Sequence, residues 1–149
     1  MSAYAAALKM LAGRELSEAQ VRQRLVRRKY DSTDIDSAIE RLKEGGYIDD
    51  ARAAAVIARR ETTVRRRGKM RVNNRLRAAG IAASIADRAV EDVFKDVDVD
   101  ALLDASLERR LRGRTSVADE KERQRLYRYL IGQGFEGERV LARLRKLRT

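Results

Sequence analysis

Asp49 and Asp50, inside the stretch "EGGYIDDARAA" (44–54), are the first residues whose type and spacing suggest chemistry. Adjacent carboxylates are raw material for a divalent-cation site or an acid–base pair. Neither use is completed here, because no third ligand converges on them by spacing. "DVDVDA" (96–101) opens like a calcium loop, but Ala101 stands where that loop needs glycine and Leu107 where it needs a bidentate glutamate. "GQGFEG" (132–137) spells G-x-G-x-x-G, yet no strand pattern precedes it, as a dinucleotide-binding loop requires. The chain has no cysteine, histidine or tryptophan, which removes disulfides, thiol and imidazole catalysis and the common zinc ligands together. No Walker A sequence is present, and no serine nucleophile has a recognisable base. The expectation is a protein that is not an enzyme and uses no metal or cofactor.

What remains is basic chemistry. Of 149 residues, 34 are Lys or Arg and 23 Asp or Glu, a net charge of +11. The charge is unevenly placed: residues 1–50 are net zero, 51–100 net +5 and 101–149 net +6. From Arg59 to Arg77 there are nine basic residues and one acid. Val72, Leu76 and Ala79 mark the buried stripe there, so Arg71 and Arg77 are expected to face solvent, with Arg65, Arg66, Arg67 and Lys69 on the preceding turn. Gly68 would let that turn lie close to another backbone. A second cluster, Arg109, Arg110, Arg112 and Arg114, falls at a matching place later in the chain. Guanidinium groups suit bidentate contact with phosphates or carboxylates, and an asymmetric basic charge points to a polyanionic partner, nucleic acid above all.

The elements that position these residues show themselves as a repeat. "VRQRLVRRKYDSTDIDSAIERL" (21–42) aligns with 72–93 and 126–147. Val21, Leu25, Tyr30, Ile39 and Leu42 fall on Val72, Leu76, Ile81, Val90 and Val93. In the third copy Leu126, Leu130, Phe135, Val140, Leu144 and Leu147 hold the apolar places. Gly134 aligns with Gly80 and Lys29, just before the apolar plug, which explains "GQGFEG" as a helix joint. Spacing is helical throughout, with no sustained alternation. Capping boxes are expected at Ser17/Gln20, Thr33/Asp36 and Ser84/Asp87, and a leading helix at Ala5–Ala12, Ala51–Glu61 and Leu102–Leu111. The expected fold is all-α: three tandem three-helix repeats, 1–50, 51–100 and 101–149, stacked into an elongated, curved array.

"EGGYIDDARAA" then reads as a structural elbow. Gly45 or Gly46 ends one helix in the left-handed conformation, Tyr47 and Ile48 fold back as a plug, and Asp49 or Asp50 caps the next helix. Of the other aromatics, Tyr30 is expected in the core, and at most one of Tyr127 and Tyr129 is expected to be buried.

"LKMLAGRELSEAQVRQRLVRRKY", "AIERLKEGGYIDDAR" and "YLIGQGF" resemble, in that order, hallmark segments of the RecX family of bacterial recombination regulators. The similarity spans nearly the whole chain. It departs at Ala53, where family members usually carry an aromatic. The resemblance implies a non-enzymatic modulator of RecA that binds along the groove of the RecA–DNA filament and suppresses strand exchange and ATPase activity. A monomer acting on the RecA filament, with single- or double-stranded DNA inside it, is therefore expected. Two other classes fit the residues alone: a RecA-independent DNA-binding module and a protein-interaction adaptor. The apolar run Ala53–Ala58 is far short of the roughly 20 residues of a membrane span, and the N-terminus is a poor signal peptide. A soluble, cytoplasmic protein is expected.

Overall fold

The computed structural model describes residues 1–149 as nine α-helices and no strand. They are α1 (Ala3–Gly13), α2 (Glu18–Arg27), α3 (Ser32–Glu44), α4 (Asp50–Thr63), α5 (Lys69–Ala78), α6 (Ala83–Phe94), α7 (Val99–Leu111), α8 (Glu120–Gly132) and α9 (Gly137–Leu144). The order is three helix triplets, and the leading helices α1, α4 and α7 each begin one to three residues before the expected start. A single isolated β-bridge joins Ser116 to Arg148.

The repeat is written in the core and in the backbone. Val21, Val72 and Leu126 are buried, as are Leu25, Leu76 and Leu130, and Ile35, Ala86 and Val140. The aligned joint residues Lys29, Gly80 and Gly134 all take positive φ, at 65°, 79° and 99°. The following amide closes the same bond each time: Tyr30, Ile81 and Phe135 donate to the carbonyls of Leu25, Leu76 and Leu130 at 3.2–3.3 Å. This is the six-to-one closure of a helix C-terminus. Two expected places shift. Val93 is only partly buried and Phe94 takes the core position instead, while Tyr30 packs at the margin of its cluster and donates to the Met1 carbonyl at 3.0 Å.

Capping follows the sequence at some helices and departs at others. Ser17 and Gln20 form the full box: Ser17 Oγ accepts from the Gln20 N–H at 3.1 Å, and Gln20 Oε1 from the Ser17 N–H at 2.9 Å. Asp98 caps α7 through the Ala101 N–H at 3.1 Å. Thr33 and Ser84 do not cap; they lie in the first turns of α3 and α6, one or more residues too late. Asp31 occupies the N-cap place of α3, and Asp36 pairs instead with Arg22 at 2.6 Å.

The chain forms two compact units. One comprises Met1–Ile57 with Leu76–Ala89, the other Ala58–Arg75 with Val90–Thr149. In the first, α1–α3 bury Ala6, Ala7, Leu16, Val21, Leu25, Ile35, Ile39, Leu42 and Ile48 around one another. Ser17 Oγ also donates to the Ala79 carbonyl at 2.5 Å, and Gly80 leaves no room for a Cβ beside Ala19. In the second, α7–α9 bury Leu103, Leu107, Leu111, Leu126, Leu130, Phe135, Val140, Leu144 and Leu147.

Candidate functional site

The joint after α3 uses its acids for structure. Gly45 is right-handed at φ −78° and Gly46 is the left-handed residue at φ +75°. The N–H groups of Tyr47 and Ile48 both reach back to the Leu42 carbonyl, at 2.8 and 3.2 Å. Ile48 alone is the plug, 5% exposed; Tyr47, expected beside it, is 50% exposed. Asp49 caps α4 by accepting the Arg52 N–H at 3.1 Å. Asp50 does something the sequence did not suggest: its Oδ1 accepts the Glu18 N–H at 2.9 Å, supplying a cap to α2. Arg52 clamps the joint, donating to the carbonyls of Gly46 and Tyr47 and to Glu15. Lys43 Nζ lies 3.0 Å from Glu18, whose hydrogen bond and charge raise the ammonium pKa. Both aspartates are therefore engaged with backbone N–H groups, and Ala53 behind them is fully buried.

The basic run between α4 and α5 divides into anchored and free side chains. Its one acid, Glu61, is 4% exposed. That carboxylate takes Arg67 at 3.0 Å, Arg65 at 3.4 Å and Arg75 at 3.6 Å. Arg67 is thus a half-buried partner of Glu61, with its Nε buried and unpaired, and does not belong on the solvent face where spacing put it. Arg71 is also committed, donating to the Gly132 carbonyl at 2.7 Å at the end of α8. Spacing failed at both for the same reason: it marks the side of a helix facing its own core, not the neighbour that a turn brings against the other side. The Gly68 expectation holds, since a Cβ there would lie 2.5 Å from the Gly134 carbonyl oxygen. Arg66 and Arg77 are exposed, and Lys69 Nζ sits 5.7 Å from the centre of the Phe94 ring.

In the third triplet, Arg109, Arg110, Leu111, Arg112 and Arg114 line an open concavity. Arg110 stacks on Tyr129 at 4.1 Å, so that tyrosine is covered, and Tyr127 packs on the same core; neither is a free stacking platform. Arg109 donates to the Val64 carbonyl at 3.3 Å. Arg112 is left-handed at φ 51° and exposed. Arg114 pairs with Glu122 at 3.0 Å. The Ala118 N–H, then Arg114, hold the Glu122 carboxyl below its ordinary pKa. Sequence reasoning missed Glu61 and Arg75. The signal for Glu61 was available: it is the lone acid in the run Arg59–Arg77.

Charge sorts by unit. The unit built from Met1–Ile57 and Leu76–Ala89 holds 12 basic and 10 acidic residues, net +2; the other holds 22 and 13, net +9. Of the ten basic residues singled out above, nine lie in the second unit and Arg77 in the first.

Helix triplets closed by the same left-handed joint define an all-α helical-repeat protein. Family models described as the first and the third three-helix domains of RecX match residues 3–42 and 98–142. The "Regulatory protein RecX" of Syntrophotalea carbinolica is 34% identical over 134 residues, covering 89% of this chain and 88% of its own length. That of Halorhodospira halophila is 34% identical over 92% of this chain and 83% of its own. The chain belongs to the RecX family. The crystal structure of RecX from Lactobacillus salivarius shares the fold, with a TM-score of 0.75 at 19% identity over 97% of this chain and 94% of that one. A second RecX crystal structure gives 0.78 at 22% identity over 96% and 70%. No helix is long and apolar enough to cross a membrane.

Proposed function

We propose that this protein is a cytoplasmic, monomeric, non-enzymatic regulator that binds the RecA–DNA filament and inhibits RecA recombinase and ATPase activity. The three repeats, 1–50, 51–100 and 101–149, serve in this reading as successive recognition units along the filament. The observation that carries it is the concentration of +9 on one unit, with Arg66, Lys69, Arg109, Arg110 and Arg112 exposed there, in a member of a family whose relatives are named regulatory proteins. A filament of protein on DNA supplies phosphates and acidic side chains together, and guanidinium groups take either in bidentate fashion.

The test is RecA filament binding and ATPase activity across a salt series, for wild type and for Arg109→Ala with Arg112→Ala. Wild type is expected to bind and to slow ATP hydrolysis. If the two arginines meet phosphate, the slope of log affinity against log salt becomes shallower by about 0.9 per duplex contact or 0.7 per single-strand contact. Wild-type protein that leaves filament and ATPase untouched would overturn the regulator reading.

A further inference from the structure

Residues 64–70, between α4 and the first turn of α5, combine three properties. The frame is locked from beneath. The Arg67 N–H donates to the Glu61 carbonyl at 3.1 Å, the Gly68 N–H to Gln133 at 2.8 Å and the Met70 N–H to Gly134 at 3.2 Å, while the Arg67 guanidinium grips the Glu61 carboxylate. The centre is strained. Arg66 is left-handed at φ 53°, a conformation that disfavours any Cβ; glycine takes it at Gly46, Gly80, Gly113 and Gly134, and Lys29 and Arg112 are the other side-chain-bearing residues that share it. Residues kept in such a conformation against a simpler alternative are concentrated where the side chain has a task. The flanks are apolar and wet: Val64 is 61% and Met70 60% exposed, on either side of an exposed arginine.

A phosphate backbone gives Arg66 a partner but gives Val64 and Met70 nothing to bury against. An acidic protein surface with an apolar recess satisfies all three. We infer that residues 64–70 form a preorganised protein-binding knuckle, with Arg66 meeting a carboxylate and Val64 and Met70 entering an apolar recess beside it. The inference rests on the filament reading above and assigns this loop to the protein of the filament rather than to its DNA. A locked frame suits that role, because a loop already ordered loses little entropy on docking. The net +9 of the surrounding unit supplies the complementary charge.

The experiment uses the full chain with two variants, V64S/M70Q and Arg66→Gly, each measured for melting temperature, for binding to RecA on DNA, and for binding to the same DNA without RecA. The double variant is expected to weaken filament binding by about tenfold or more, the scale of one apolar side chain left unburied, while affinity and salt slope on bare DNA stay at wild-type values. Arg66→Gly is expected to weaken filament binding while melting at the wild-type temperature or above, since the change relieves strain. That opposition of signs separates a contact residue from a structural one. Filament binding by V64S/M70Q at wild-type strength overturns the inference. Loss of bare-DNA binding in parallel with filament binding also overturns it and assigns the loop to nucleic acid. Wild-type protein that does not bind the filament at all sinks the regulator reading first, a result the variants do not mimic.

Discussion

At the scale of single residues, the left-handed positions separate what the fold needs from what it tolerates. Lys29 stands where the two other triplets have glycine, in the same conformation and with the same closing hydrogen bond. Lys29→Gly should therefore stabilise the protein by about 0.5–1 kcal/mol, read as a higher urea midpoint at unchanged slope. Gly134→Ala should do the opposite, and by more. Besides its φ of 99°, the added methyl would collide with the backbone nitrogen and Cβ of Arg71. Glu61 offers a third comparison. Glu61→Gln removes the charge that a half-buried Arg67 faces, an expected loss of roughly 1–3 kcal/mol. Arg65→Ala deletes a partner whose side chain is 52% exposed and should cost less than about 1 kcal/mol. Equal losses in denaturant melts of the two variants would show that Glu61 is not the centre of this cluster.

At the scale of elements, joints proved harder to anticipate than helices. Helix existence was legible because apolar residues recur at 3.6-residue spacing, and the aligned residues 29, 80 and 134 turned out to share one backbone conformation. Asp50 bonding to the Glu18 amide was not legible, since 32 residues separate the partners and either aspartate alone would cap α4. Tyr47 misled for a related reason: an aromatic beside Ile48 looks like core until the closing turn shows which of the two points inward. The α7–α8 joint gives a pH test. Glu122, held by the Ala118 amide and Arg114, titrates below its ordinary value of 4.5. A carboxyl depressed in the folded state contributes stability above its unfolded pKa and loses it as the pH falls through its folded one. Wild type should therefore exceed Glu122→Gln in melting temperature at neutral pH, and the gap should close as the pH drops below 4.5. A gap that is constant with pH would remove the carboxylate from the account of this joint.

At the scale of the whole molecule, the uneven charge makes a prediction that total charge alone does not. Arg27 and Arg28 are exposed on the unit of net +2, while Arg109 and Arg112 are exposed on the unit of net +9. Exchanging either pair for glutamine removes the same charge. Only the second exchange should alter filament affinity and its salt slope, because in the reading proposed above the filament meets the unit that carries Arg109 and Arg112, and exposed charges that make no contact are largely screened at physiological salt. Equal effects from both pairs would mean that net charge, and not a particular surface, governs binding.

The split membership of the first unit has a consequence for how the protein is made. Its first 57 residues include α1–α3, but its last piece, Leu76–Ala89, arrives 18 residues later in the chain. Ser17 meets the Ala79 carbonyl and Ala19 meets Gly80 only after that piece exists. On the ribosome, then, the N-terminal helices can gather their own apolar residues early. The Ser17 hydroxyl can accept the Gln20 amide as soon as α2 forms, but its own proton stays with water until residue 79 has cleared the exit tunnel, so this unit cannot be finished before Ala89 has been added to the chain.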